Sequence, residues 1–396
     1  MKVITDPSQI GITGLISQGT PIKMWLDPKA LEDGAFEQAY NLSRLPFVFK
    51  HIALMPDCHV GYGMPIGGVM ATEGVIVPNA VGLDIGCGMC AVKTTLTEIG
   101  MKDLKDIMSK IRERIPLGFE HHPNPQTWDG FDTAPDVQIV QQQLKAAKYQ
   151  LGTLGGGNHF IEIQKGNDGF IWLMLHSGSR NFGKQIAETY HDKARALCSR
   201  WHSDIPNMEL AFLPMEAPEA KDYFEAMKFA LSFAKESRRK MAVAIMDSII
   251  EIIPSAGFAD LIDVHHNYAV WENHYGKNVI VHRKGATSAR EGQIGIIPGS
   301  QGTKSYIVRG KGNFESFNSC SHGAGRKMGR KDAIRRLNLE DEQKILDDQG
   351  IIHSIRTKGD LDEASGAYKS IDEVMANQAD LVDIVTELRP LAVIKA

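Results

Sequence analysis

Histidines seated in glycine-rich turns, at the ends of apolar runs, most restrict how this chain can fold. His59 lies in PDCHVGYG, His159 in GGGNHF, His176 in LHSGSR, His266 in HHNY and His322 in SHGAGR. A single histidine is usually structural, or filler on a surface. Five in one context point elsewhere, because an apolar strand that delivers an imidazole to a loop mouth is how many metal sites are assembled. Length alone, at 396 residues, suggests two or three domains. Yet the motifs run from residue 55 to the chain's last residues with no linker-like stretch between them. The expectation is therefore one α+β domain over residues 1–396, with a single composite site.

The local patterns fit that class. Residues 45–95 read as short apolar runs broken by Gly and Pro, which predicts buried strands and tight loops. Helical periodicity marks 102–115 and 136–149. The run FIWLMLH at 170–176 predicts a buried strand, and HSGSRNFG leads into a helix reaching about Trp201. The longest helical pattern spans 219–252, with Phe224, Met227, Ala230, Leu231 and Ala234 on one face. From Val264 onward strands and glycine-rich turns return. SHGAGR is expected to open a helix, and the tail to end as a strand.

Composition narrows the setting. A hydrophobic fraction of 43% is enough for a sizeable core. The net charge of −4 excludes a bulk polycation, so any nucleic-acid surface must be local. Five cysteines without regular spacing argue against a disulfide framework. The opening MKVITDPSQIGITG lacks the apolar run of a leader, and no segment has the apolar length of a membrane span. A cytoplasmic protein with no membrane partner is expected.

Asp84 and Cys87, three residues apart in VGLDIGCGM, are flanked by Gly82, Gly86 and Gly88. Glycines on both sides let the backbone approach a bound group closely. A carboxylate, a thiolate and several imidazoles make a plausible metal-ligand set, although a free cysteine is as often a small buried hydrophobe. Cys87 and Cys90 form a CxxC, but no second CxxC completes a zinc site. On raw affinity zinc would win, so the residues alone do not name the metal. Four Gly/Ser-rich turns, GTLGGGN, HSGSRNFG, IPGSQGTKS and SHGAGR, suit phosphate. Two of them carry an arginine at an expected helix start, Arg180 and Arg326. Between Arg283 and Arg336 there are twelve Lys/Arg against three Asp/Glu, and a phosphate groove is favoured over a solvated basic face. The residues thus reach a metalloenzyme acting on phosphate esters or nucleic acid.

Taken in order, these motifs resemble the RtcB family of RNA ligases. The likeness covers MPDCHVGYG, AVGLDIGCGM, LGTLGGGNHFIEI, MLHSGSR, HHNYA, RKGATSAR, IIPGSQGTKSYIVRG and SHGAGR, and continues through AYKSIDEVM to Lys395. It is least distinctive around 118–150 and 200–260. The resemblance implies mixed β-sheets with surrounding helices around a deep metal and nucleotide cleft. It implies two Mn²⁺ bridged by Cys87, one completed by His159 and His176, the other by Asp84 and His266. It implies that His322 is the nucleophile that becomes guanylylated. Guanosine contacts fall on Asn158, Phe160, Glu162, Ser300, Ser305, Ala324, Tyr368 and Lys395. Asp57 matches an acidic residue near the metals, and Arg180 an arginine that engages RNA phosphate.

The activity so implied is GTP-dependent joining of an RNA 3′-phosphate or 2′,3′-cyclic phosphate end to a 5′-hydroxyl, in tRNA splicing or RNA repair. An archease-type activator is a further implied partner. Two other readings compete. A metal-dependent phosphodiesterase needs the metals but neither His322 nor Lys395. A non-catalytic RNA-binding paralogue needs no such ligand set.

Overall fold

The computed structural model describes residues 1–4 and 19–396. The N-terminal stretch read for a leader falls mostly on residues 5–18, outside the described residues. In chain order the first part is β1 (Lys2–Ile4), β2 (Ile22–Met24), α1 (Asp33–Ser43), β3 (Val48–Tyr62), β4 (Met64–Thr72), β5 (Val75–Ile76) and β6 (Gly88–Lys93). The middle is α2 (Met101–Arg114), α3 (Gln138–Gln150), β7 (Phe160–Gly166), β8 (Ile171–Ser177), α4 (Arg180–Arg200), β9 (Leu213–Pro214) and α5 (Pro218–Ile252). There follow β10 (Ile262–His265), β11 (Asn267–His274), β12 (Lys277–Lys284), β13 (Ala286–Ser288), β14 (Ile294–Ile297), β15 (Ser305–Gly310) and β16 (Ser319–Ser321). The chain closes with α6 (Arg330–Arg336), α7 (Leu339–Asp347), α8 (Ile371–Ala376) and β17 (Val382–Ile394).

Two sheets dominate. One has the order β1-β2-β3-β4-β12-β11, the other β10-β6-β8-β7-β17-β15-β14. The fold is thus mixed α+β, as the sequence pattern indicates. The expected helices and strands appear within a residue or two of their expected bounds, with one exception. SHGAGR opens no helix: α6 starts at Arg330, and Arg326 forms an isolated bridge to Tyr368. The backbone there must pass against Asp57. Gly325 has φ +71°, and a Cβ on it would lie 2.1 Å from the Asp57 carbonyl oxygen.

Alternation along the strands of the second sheet decides what faces the site. Ile161, Ile163, Leu173 and Leu175 pack with Leu104, Ile107 and Ile111 of α2 and Met241, Ile245 and Ile249 of α5. The opposite face presents Phe160, Glu162, Met174 and His176, all buried. Both faces are covered, which explains the unbroken apolar run of β8. The amino half of α5 instead meets α4 and the loop before α3. Phe233 packs against Trp128, Phe131 and Phe182, with ring centroids 6.2, 6.3 and 5.3 Å away. Among the described residues, no helix is long and apolar enough to cross a membrane.

This aromatic cluster locks α4 and α5, and α4 begins at the end of β8. Phe233→Ala removes a fully buried ring and is expected to cost about 3–5 kcal/mol. The check is the denaturant midpoint of unfolding, and a midpoint within error of wild type would contradict this packing role.

Candidate metal centre and nucleotide cleft

The two sheets meet at one residue. β10 belongs to the seven-stranded sheet and β11 to the six-stranded one, and His266 is the single residue between them. Its amide donates to the Cys87 carbonyl at 2.9 Å. Strand register supplies the neighbours: His176 lies opposite Met89 on β6 and opposite Phe160 on β7. The end of β8, the turn before β6 and the turn before β7 therefore converge.

Their side chains form a continuous cluster, buried except for the partly exposed Asp84. Cys87 Sγ is 3.5 Å from His159 Nε2 and 3.2 Å from His176 Nε2. His176 Nε2 is 3.3 Å from His266 Nε2, and His159 Nε2 is 3.1 Å from Asp84 Oδ2. Possible ligand atoms of Cys87, His159 and His176 all lie within 4.8 Å of one another. His159 Nδ1 pairs with the Leu154 carbonyl at 2.9 Å and His176 Nδ1 with that of Asn158 at 3.1 Å. A carbonyl accepts only, so each Nδ1 carries the proton and each Nε2 offers a lone pair to the cluster. Burial, followed by neighbouring cations, holds His176 and His266 well below the ordinary imidazole range, and both are neutral. Burial, reinforced by Asp84, pushes the Cys87 thiol well above its usual value. Converging lone pairs of this kind are the donor set a divalent cation fits. Space is held open for Asp84 by Gly178, where a Cβ would lie 2.2 Å from Asp84 Oδ1.

His322 stands beside this cluster, its ring centroid 4.8 Å from that of His266. Its Nδ1 is 2.6 Å from Asp57 Oδ2, which also accepts the amides of His322 and Gly323 at 3.1 and 3.3 Å. Burial works against the Asp57 carboxylate, but its pairing with His322, with His59 and Lys369 nearby, holds it below the usual range. Among the described residues the other ring nitrogen of His322 has no hydrogen-bond partner, and the residue lines the cleft. Asp57 thus orients His322 instead of joining the Cys87 cluster. His59 lines the same cleft, but its Nδ1 is bonded to the Asp57 carbonyl at 3.0 Å, away from the cluster.

The cleft has a volume of about 820 Å³. Asn158, Phe160, Glu162, Ser300, Ala324, Tyr368 and Lys395 line it, with Asp84, Cys87, His176, His266 and His322. Ser305 stands behind the lining, accepting from the Gly299 amide and the Gln164 side chain at 3.1 and 3.2 Å. Burial pushes the Glu162 carboxyl up to about 8. Lys395 Nζ is 5.9 Å from the Phe160 ring centre and 3.6 Å from Glu363. Arg180 begins α4 with φ +60° and donates to the Gly118 carbonyl at 2.7 Å and to Thr153 at 3.1 Å.

A model of the family described as "tRNA-splicing ligase RtcB" matches residues 38–134 and 126–396. The chain belongs to the RtcB family. Members of this family are RNA ligases. The RNA-splicing ligase RtcB of Escherichia coli K12 is 38% identical, over 96% of this chain and 98% of the relative. The tRNA-splicing ligase RtcB of Thermococcus kodakarensis is 32% identical over 95% and 94%. That of Nanoarchaeum equitans is 33% identical over 95% of each.

Within this RtcB-family cleft, two residues carried no assigned role from sequence. Glu363 is buried and meets Arg326 at 3.2 Å, Arg330 at 2.9 Å, Lys395 and the Tyr368 hydroxyl. No periodicity marks it; in GDLDEASGAY it is one of three neighbouring carboxylates, five residues before Tyr368. Lys284 is buried at the cleft, donating to the Tyr62 and Asn79 carbonyls, and burial lowers its ammonium to about 7. The basic segment itself is not one face. Arg283 is fully buried on Glu272, while Lys304 and Lys311 pair with Glu387 and Asp383. Lys284, Arg326, Arg330 and Lys331 reach the cleft.

If the cluster takes a divalent metal, the Cys87 proton must leave on binding. Titration calorimetry in buffers of different ionisation heat is expected to show proton release, and affinity is expected to fall as pH falls. Cys87→Ala should lose most bound metal, and wild-type stoichiometry in that variant would remove Cys87 from the ligand set.

Proposed function

We propose that residues 1–396 act as one domain that ligates RNA 3′-phosphate, or 2′,3′-cyclic phosphate, ends to 5′-hydroxyl ends, using GTP and two Mn²⁺ ions. One observation carries this reading. His322, fixed through Nδ1 by Asp57, faces the same cleft as the buried Cys87, His159, His176 and His266 cluster. A phosphodiesterase needs the cluster but needs neither a nucleophilic imidazole beside it nor Lys395 in the cleft. Cys87 would bridge the ions, with His159 and His176 on one and Asp84 and His266 on the other. Ions held there supply charge neutralisation on the phosphates and alignment for in-line displacement.

The chain's own groups do the rest. Asp57 keeps the proton on Nδ1 of His322, so Nε2 attacks the α-phosphorus of GTP and the bond to the β-phosphate oxygen breaks. Pyrophosphate leaves. The RNA 3′-phosphate oxygen then takes the guanylyl group, and the His322 N–P bond breaks. The 5′-hydroxyl attacks the 3′-phosphorus, losing its proton to solvent, and GMP departs. A cyclic end is first opened by water to the 3′-phosphate. Glu162 accepts the N1–H and N2–H of guanine, Lys395 donates to O6, and Phe160 packs beneath. Adenine presents the opposite pattern and would leave buried polar groups unpaired, which favours GTP. Asn158, Ser300, Ser305, Ala324 and Tyr368 complete the guanosine pocket, and Arg180 engages RNA phosphate. The tRNA-splicing names of the relatives support tRNA halves as substrate; broken RNA with the same ends, a cytoplasmic setting and an archease-type activator belong to this proposal through the family resemblance.

The chemical steps are separable. His322→Ala is expected to retain metal and form no protein–GMP, yet to seal RNA already carrying a 3′-guanylate without GTP. His266→Ala is expected to fail on both substrates. Sealing by His266→Ala with none by His322→Ala would reverse the two roles, and failure of both would favour a hydrolase.

Guanine recognition should depend on pH. Glu162 is protonated below about 8 in the free protein, and accepting two N–H donors requires the carboxylate. Binding therefore strengthens as pH rises, by up to about tenfold per unit below that value, and levels off above it. Guanosine affinity of His322→Ala, measured between about pH 6.5 and 8.5, checks this. Glu162→Gln should bind about 10–100-fold more weakly and lose the slope. A flat profile in the parent would contradict an ionised Glu162 in the complex.

A further inference from the structure

The long helix α5 lies in the stretch where the family likeness is weakest, yet it carries a fully buried arginine at its centre. Arg238 has a side-chain exposure of 0%. Its Nε and Nη2 make paired bonds to Asp263 Oδ2 and Oδ1 at 2.7 and 2.9 Å. Nη1 donates to the carbonyls of Gly86 and Ser177 at 2.9 and 2.8 Å. Nη2 also lies 3.0 Å from His265 Nδ1. Gly86, Ser177 and His265 are the immediate chain neighbours of Cys87, His176 and His266. One planar group therefore touches three backbone segments, each one residue from a side chain of the buried cluster.

We propose that Arg238, held by Asp263, is the positioning residue of the metal centre, setting the spacing of Cys87, His176 and His266. The inference rests on the metal reading above and concerns a residue that reading does not use. The guanidinium suits the task because its donors are fixed in one plane and reach several acceptors at once. A lysine has a single ammonium on a flexible stem, so it supplies the charge without the fork. Stability alone is a poor account of the pair, since a buried ion pair is often no better than apolar packing of similar volume. An apolar side chain would leave the buried Asp263 carboxylate without its paired donors, remove a donor from the Gly86 and Ser177 carbonyls, and free the three segments to shift. Groups that orient metal ligands from behind typically change affinity by about 10–100-fold.

The test compares full-length wild type, Arg238→Lys, Asp263→Asn and Arg283→Lys. Arg283 is an equally buried, ion-paired arginine that bonds Glu272, Ser319, Phe317 and Tyr268 but none of Gly86, Ser177 and His265, and so controls for loss of stability. Mn²⁺ affinity is measured by calorimetry, and the thiolate-to-metal charge-transfer band is recorded with Co²⁺. The expected result is about 10–100-fold weaker Mn²⁺ binding and an altered Co²⁺ band in Arg238→Lys and Asp263→Asn. Arg283→Lys should unfold more easily but bind both metals like wild type. Wild-type affinity and spectrum in folded Arg238→Lys and Asp263→Asn would overturn the proposal. So would failure of both to fold, or equal metal loss in Arg283→Lys, either of which makes Arg238 a stability residue. Absence of a Co²⁺ thiolate band in wild type would instead count against the metal reading itself.

Discussion

Everything in the site depends on the hydrogen bond from the His266 amide to the Cys87 carbonyl, made where the chain leaves one sheet and enters the other. That contact ties the strand end carrying one imidazole to the turn carrying the thiol. Antiparallel register then brings in His176, because its strand is flanked by β6 and β7. The six-stranded sheet contributes Asp57 through β3, which reaches across to His322. A one-residue slip in β8 would turn His176 to the helix-covered face and replace it with Leu175 or Ser177. The cleft is therefore a property of how the two sheets join, and no single loop could build it.

Burial gives the joined groups their chemical character. Burial keeps the His176 and His266 imidazoles neutral, and backbone carbonyls fix Nδ1 of His159 and His176. Elsewhere in the cleft burial is offset by pairing. Asp57 keeps its charge through His322 and two amides, and Glu363 keeps its own through Lys395, Tyr368, Arg330 and Arg326. Glu162 has Gln164 and a more distant Lys395, which is not enough to keep its carboxyl in the ordinary range. The proposed metal side thus combines the neutral imidazoles of His176 and His266 with the Asp84 carboxylate, which His159 holds below its ordinary range against burial, and the proposed guanine side offers a carboxyl to N–H donors.

Much of this was legible in the sequence, and the reason is physical. Cys87, His159, His176 and His322 each sit in or beside a short turn whose glycines allow close approach, so the motif and the geometry are one signal, whereas His266, in HHNY, has no such glycine and is placed by the step from one sheet to the other. The strands were legible because both faces of the seven-stranded sheet are covered, leaving unbroken apolar runs. Arg238 was not, because in ESRRKM it looks like one of several solvated charges on a helix. Glu363 and the Asp57–His322 contact depend on pairings across more than 30 and more than 260 residues respectively, which no local pattern encodes. The basic stretch from Arg283 was legible only in part, for the opposite reason: Lys284, Arg326, Arg330 and Lys331 reach the cleft and others of the stretch do not. A charge count cannot tell Arg283, buried on Glu272, from Arg330, which lines the cleft.

The central claim is that an imidazole fixed by Asp57 beside a buried metal cluster becomes the covalent carrier of the guanylyl group. Tandem mass spectrometry of the full-length protein, after incubation with GTP and Mn²⁺ at neutral to alkaline pH, addresses it directly. The account predicts a phosphoramidate-linked GMP on His322, formed with Mn²⁺ and absent when the metal is chelated. A guanylyl group on a lysine or any other residue, or a metal-loaded protein that takes up none, would contradict it.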